Sequence, residues 1–195
     1  MPTYDKDKIG KMLAWRGDHF VYEYGENEVI KFSKFDYLLG FEKAKEVVPQ
    51  EYETFKEFFG EYLVSCTVVL SPVGHRVAVI QPRLSGKNLQ ISDLQSDTVK
   101  IQCRDIIERY HRLVAAGHPA IDLMGHEGLF HFWDRCLGNI LVTDDGKLRI
   151  FDAMSLELKR FAPFTRPFMA LLFRLDRVVQ KSVIRAFEKA SAGGV

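Results

Sequence analysis

Asp134-Arg-Cys-Leu-Gly-Asn139-Ile-Leu-Val-Thr-Asp-Asp-Gly-Lys-Leu-Arg-Ile-Phe-Asp152 is the stretch that decides the fold. Asp145-Gly146 is a favoured two-residue hairpin turn, because Asp and Gly tolerate positive φ at both central positions. With that turn Val142 faces Arg149, Ile140 faces Phe151 and Asn139 faces Asp152. Directly opposed residues share a face of the hairpin, with Cβ atoms about 5 Å apart. One amide oxygen and one carboxylate therefore converge, and hard oxygen ligands completed by phosphates and water are what Mg²⁺ prefers. Asp134 lies five residues upstream of Asn139, on the loop entering the hairpin, within approach of a substrate hydroxyl.

Working outward, Phe20 to Tyr24 and Glu28 to Phe32 read as a hairpin around Gly25-Glu26-Asn27. Leu63 to Leu70 and Arg76 to Ile80 read as two more strands, and Glu42 to Phe59 as a helix interrupted by Pro49. Beyond Gln81, Ser96 or Asp97 caps a helix carrying Cys103, Ile106, Ile107, Tyr110, Leu113 and Val114 at helical spacing, ended by Gly117. A Phe-rich helical segment up to Ala190 closes the chain. A sheet-rich first half and a helix-rich second half, joined near Gln81 to Gly86, give an α+β pattern with a cleft at the join. The expected division is a lobe over residues 1–84 and a second over residues 85–195.

Asp-x-x-x-x-Asn, followed thirteen residues later by Asp, with the Asn opening an Ile-Leu-Val strand, resembles the catalytic loop and metal-binding Asp of the protein-kinase-like superfamily. The pattern is nearest to small bacterial phosphotransferases of the YrbL type, lipopolysaccharide-core sugar kinases and aminoglycoside phosphotransferases. The resemblance implies a two-lobed fold, with a small antiparallel-sheet lobe and a shortened helical one. It implies ATP and Mg²⁺ as cofactors, Asp134 as base or hydroxyl-orienting residue, and Asn139 and Asp152 as metal ligands. Val29-Ile30-Lys31-Phe32 resembles the strand of the ATP-binding lysine, and alternation puts Ile30 and Phe32 on the core face and Lys31 toward the cleft. Glu51 is the expected partner of Lys31, since Phe55 and Phe58 at i+4 and i+7 hold that face inward; Glu53 is the fallback. Val77 to Leu84 resembles the inter-lobe hinge, whose main chain around Gln81 to Arg83 would meet adenine. Trp15-Arg16-Gly17-Asp18-His19-Phe20 stands at the phosphate-covering loop, with Gly17 its one glycine. Phe132-Trp133 and Ala153-Met154 replace the His-Arg and Phe-Gly of protein kinases, and 43 residues follow Asp152.

These features lead to an ATP-dependent kinase acting on the hydroxyl of a small molecule, a sugar or a lipid-linked sugar. The alternatives are a nucleotide-sensing pseudokinase that binds a partner, and a protein Ser/Thr kinase. Adenylyl transfer from the same fold is a further option.

Composition sets the outer bounds. In 195 residues, 47% apolar, a packed core is affordable, and a net charge of +1 argues against nucleic-acid coating. Cys66, Cys103 and Cys136 are widely spaced and odd in number, which reads as free thiols in a reducing compartment. The six histidines lack metal-ligand spacing and read as surface or local hydrogen-bonding residues, with His131, near Asp134, the one set apart. The polar N-terminus and short apolar runs point to the cytoplasm. From Ser155 onward, eight basic residues face three acidic ones. That tail reads first as a core-covering helix pair with a solvated charged face. Its sharper reading is a basic amphipathic surface in peripheral contact with the inner face of a membrane.

Overall fold

The computed structural model describes residues 1–16, 19–33, 41–71, 76–125, 136–152 and 166–193. Period-two alternation of apolar residues builds the first sheet. It comprises β1 (Ile9–Arg16), β2 (His19–Tyr24), β3 (Glu28–Ser33), β4 (Thr67–Leu70) and β5 (Val77–Pro82), ordered β1-β2-β3-β5-β4 and antiparallel throughout. Tyr24 pairs with Glu28 across Gly25-Glu26-Asn27, and Gly25 at φ +62° supplies the left-handed residue that such a turn requires. Ile30, Phe32, Val69, Ala78 and Ile80 point to one face and pack with Tyr4 and Tyr24. Val29, Lys31 and Gln81 point to the other.

The second sheet is β6-β7-β8, with β6 Gly86–Gln90, β7 Cys136–Thr143 and β8 Leu148–Ile150. Three helices complete the described chain: α1 (Phe41–Phe59), α2 (Asp97–Ala115) and α3 (Arg166–Ser191). Helix α2 buries Val99, Cys103, Ile106, Ile107, Tyr110 and Leu113. It ends at Gly117, whose φ of +82° lets the Gly117 and His118 amides reach Val114 O and Leu113 O. Val114, expected on the apolar stripe, is instead exposed.

Two expectations change. Helix α1 runs unbroken through Pro49. A mid-helix proline costs on the order of 3 kcal/mol, and burial of Ala44, Tyr52, Phe55 and Phe59 on one face offsets it. Residues 153–165 lie outside the described residues, and among the described residues of the tail, where a helix pair was expected, Arg166–Ser191 form one continuous helix. Its Val183, Ile184 and Phe187 are buried in the main core, while Leu171, Leu175 and Val178 make an exposed i, i+4, i+7 stripe. The two halves, expected as lobes of one domain, share a core. Tyr52, Phe55, Phe59, Tyr62 and Leu63 join the same cluster as Cys103, Leu113, Ile140 and Ile150. Val64 N donates to Ile150 O at 2.9 Å, and the Arg149 guanidinium to Glu61 O at 2.9 Å, so the α1–β4 connection is stitched to β8.

Candidate functional site

The β7–β8 hairpin carries the quoted motif, and its register differs by one residue from the expectation. The loop is Asp144-Asp145-Gly146, not Asp145-Gly146. Gly146 N donates to Thr143 O, Thr143 N to Lys147 O, and Gly146 sits at φ +75°. This is a type I turn followed by a left-handed glycine. Ile140 therefore pairs with Ile150, Leu141 with Arg149 and Val142 with Leu148, and Asn139 O accepts from Phe151 N. Asn139 opposes Phe151 rather than Asp152. Asp152 lies just beyond β8, and it still reaches the cleft that Asn139 lines.

What brings Asn139 to the cleft is a bulge. Asn88 pairs with Leu141 but Leu89 pairs with Leu137, so Gly138, Asn139 and Ile140 have no partners on β6. Their amides turn elsewhere: Gly138 N donates to Met124 O and Asn139 N to Leu123 O, both at 3.1 Å. A Cβ on Gly138 would fall 2.5 Å from Met124 O, so only glycine fits this close approach. The buried Asn139 side chain donates from Nδ2 to Asp122 O at 2.9 Å. Its Oδ1 accepts no hydrogen bond among the described residues and lies against Gly125, where a Cβ would come within 2.7 Å.

Asp122 is the residue that sequence reasoning missed. Its Oδ1 accepts from Met124 N at 2.9 Å and Gly125 N at 3.1 Å. Burial pushes its carboxyl up to about 7, those two amides oppose the shift, and the Asp152 and Asp176 carboxylates add to it. The fully buried Ile121 and Leu123 flank it, and an acid between two apolar residues after a helix stop is the signal it left in the sequence. Helix α3 holds this segment from behind. Gln180, 1% exposed, accepts from Leu123 N at 2.9 Å and donates to Ile121 O at 3.0 Å and Tyr110 Oη at 3.2 Å. Asp134, Gly17 and His131 lie outside the described residues.

A cleft of about 380 Å³ runs between the two sheets. Leu13, Ala14, Val21, Val29 and Leu141 make an apolar slot at one part, and Lys31, Asn139, Asp152 and His19 line it too. Lys31 faces the cleft as expected, and its Nζ donates to Phe151 O at 2.7 Å. The structure does not join Lys31 to Glu51 or Glu53. The reason is helix phase. Phe59 rather than Phe58 is fully buried, and Tyr52, hydrogen-bonded to Val64 O and Cys66 N, takes the inward position one residue on from Glu51. His19, read as a surface or local hydrogen-bonding histidine, has Nδ1 3.4 Å from Asp152 Oδ2 and a side chain 15% exposed.

At the hinge, Arg83 N donates to Asn27 O at 2.8 Å, and its guanidinium meets Glu23 Oε1 at 3.2 Å. That makes Asn27 and Arg83 a hydrogen-bonded pair, so alternation makes Glu28 and Pro82 a non-bonded one. Pro82 C=O thus faces away from β3; Pro82 and Leu84 both line the cleft, and neither Pro82 C=O nor Leu84 N–H has a backbone partner among the described residues. Gln81 and Arg83, the residues expected at the hinge, line the cleft together with Pro82 and Leu84.

The donor set fits a hard divalent cation. Asn139 Oδ1 is a buried orphan acceptor, and Asp152 supplies a carboxylate on the same cleft. Among the described residues no group of three or more His, Cys, Asp or Glu converges, so phosphates and water would complete the shell, as Mg²⁺ favours. Among the same residues no helix is long and apolar enough to cross a membrane.

No protein-family model matches the sequence, and no curated protein does. Among solved structures 156 chains match. One, described as "PpkA-294 apo form", aligns with a TM-score of 0.44 and 12% identity over 78% of this chain, which spans 60% of that one. A likeness at that level carries no functional argument. The two antiparallel sheets, the three α-helices and the cleft between the sheets make this an α+β fold.

Proposed function

We propose that the chain is an ATP- and Mg²⁺-dependent phosphotransferase acting on the hydroxyl of a small molecule, a sugar or a lipid-linked sugar. One observation carries the reading: a single cleft is lined by apolar side chains, by Pro82 and Leu84, by a buried lysine and by Asn139 and Asp152. Pro82 C=O and Leu84 N–H match the N6 amino group and N1 of adenine, whereas guanine would oppose like groups at both points. Lys31 binds the α- and β-phosphates as a point charge. Asn139 Oδ1 and Asp152 would hold Mg²⁺, which when bound neutralises charge on the phosphates.

Asp122 orients the acceptor hydroxyl and takes its proton. The hydroxyl oxygen forms a bond to the γ-phosphorus, the bond from that phosphorus to the β–γ bridging oxygen breaks, and ADP leaves. The closeness of Asp122 to the oxygen pair, with Asn139 Nδ2 donating to Asp122 O, is what nominates it as the general base. Asp134, which the five-residue spacing nominates for this role, is the rival residue.

A pseudokinase is the second reading. It draws on Lys31, which donates to Phe151 O and has no carboxylate partner among the described residues. The experiment is transfer of labelled γ-phosphate from Mg-ATP to a panel of sugars, protein substrates and water, with Asp122→Asn and Asp134→Asn in parallel. Transfer lost in Asp122→Asn and kept in Asp134→Asn is the expected result. Mg-dependent ATP binding without transfer to any acceptor favours the pseudokinase. Absence of nucleotide binding refutes both.

A further inference from the structure

Gln81 is a buried amide, 7% exposed, whose side chain has no partner among the described residues. Buried polar groups are nearly always paired, and each exception calls for an explanation. Its backbone is used by the sheet, opposite Val29. Opposed residues share a face, and both line the cleft. The side chain therefore stands in the cleft wall one residue inward of Pro82, with Lys31 further along the same face.

We infer that Gln81 reads the N6/N7 edge of the purine, adding side-chain discrimination to the main-chain edge of Pro82 and Leu84. This rests on the nucleotide reading above and deepens it. The order of groups along the chain fixes the geometry. With N1 on Leu84 N–H and N6 on Pro82 C=O, the next polar atom around the purine, past C5, is N7. The next cleft-facing group along β5 is Gln81. A carboxamide offers one acceptor and two donors side by side, which matches an amino group beside a ring nitrogen, the pairing Gln makes with adenine elsewhere. Oε1 accepts the second N6 hydrogen and Nε2 donates to N7. The base then supplies the partners that the ligand-free protein lacks.

The test compares dissociation constants of ATP, 7-deaza-ATP (no N7 acceptor) and purine riboside triphosphate (no N6 amine) for wild type and Gln81→Leu. Wild type should bind 7-deaza-ATP about tenfold more weakly than ATP, the loss of one well-made hydrogen bond in a buried site. Gln81→Leu should bind the two alike, and its ligand-free melting temperature should equal or exceed that of wild type, since an unsatisfied amide has gone. Equal binding of ATP and 7-deaza-ATP by wild type, or an undiminished tenfold gap in the variant, overturns the inference and leaves nucleotide binding standing. Failure of wild type to bind any of the three overturns the parent reading as well. If Gln81→Leu does not fold, the wild-type analogue series alone decides, with Gln81→Met as the second variant.

Discussion

Replacing Asp122 by asparagine tests the centre of the site through stability as well as activity. The unfolded carboxyl loses its proton near the ordinary value of 3.8, and the folded one keeps it until about 7. Between those values the unfolded state binds fewer protons, so wild-type stability falls as pH rises, and above 7 the full cost is present. Each pKa unit is worth about 1.36 kcal/mol, which makes the cost at pH 8 about 4 kcal/mol at most. Asp122 as a residue keeps intermediate exposure, and solvent relaxation brings the expectation to about 2 kcal/mol. Asp122→Asn keeps an oxygen for the Met124 and Gly125 amides and has no charge to desolvate. Urea unfolding at a series of pH values, in EDTA, should show equal stability near pH 4. The variant should then gain progressively, by about 2 kcal/mol at pH 8. Phosphoryl transfer should fall at least about 100-fold, while the thermal shift with Mg-ATP persists. A stability difference that does not vary with pH, or a variant less stable at pH 8, refutes the assignment of a desolvated carboxyl. Retained transfer refutes its role as base.

Gly125→Ala puts a Cβ 2.7 Å from Asn139 Oδ1 at φ +73°; it should cost about 1–2 kcal/mol from the left-handed backbone alone. It should also abolish the Mg²⁺-dependent part of ATP binding by calorimetry, and unchanged Mg²⁺ dependence would remove Asn139 from the metal site. Gln180→Leu leaves Leu123 N and Ile121 O without partners and should destabilise by about 2–4 kcal/mol in denaturant titration; a loss under about 0.5 kcal/mol would mean helix α3 does not brace the Asp122 segment. Lys31→Met should weaken ATP binding at least about tenfold with little change in ligand-free melting, and a variant that binds ATP as wild type does would leave Lys31 bound to Phe151 O only.

Local rules reached as far as local causes extend. In β3 and β5 the period of two placed Ile30, Phe32, Ala78 and Ile80 in the core and Lys31 in the cleft, because alternation needs no knowledge of the partner strand. β1 and β6 left weaker signals. Gly86–Gln90 buries only Leu89, and a strand with one inward residue has no pattern to read. The hairpin register slipped because Asp-Gly serves both a two-residue turn and the last two positions of a three-residue loop. Helix phase misled at Glu51 for a similar reason: Phe58 and Phe59 are adjacent, and only packing against the second core selects Phe59.

Asp122 escaped for a reason that also explains why the site holds together. The family spacing sets the acid five residues before the asparagine, and Asp134 meets it. In this chain Asp122 and Asn139 are seventeen positions apart and are joined by the backbone itself. Asn139 Nδ2 bonds Asp122 O, Asn139 N bonds Leu123 O, and Gly138 N bonds Met124 O. Those three bonds tie the Asp122–Gly125 segment to the start of β7. The separation of acid and amide is set by that ladder and by Gly125 and Gly138, which let the backbones touch, not by the number of residues between them.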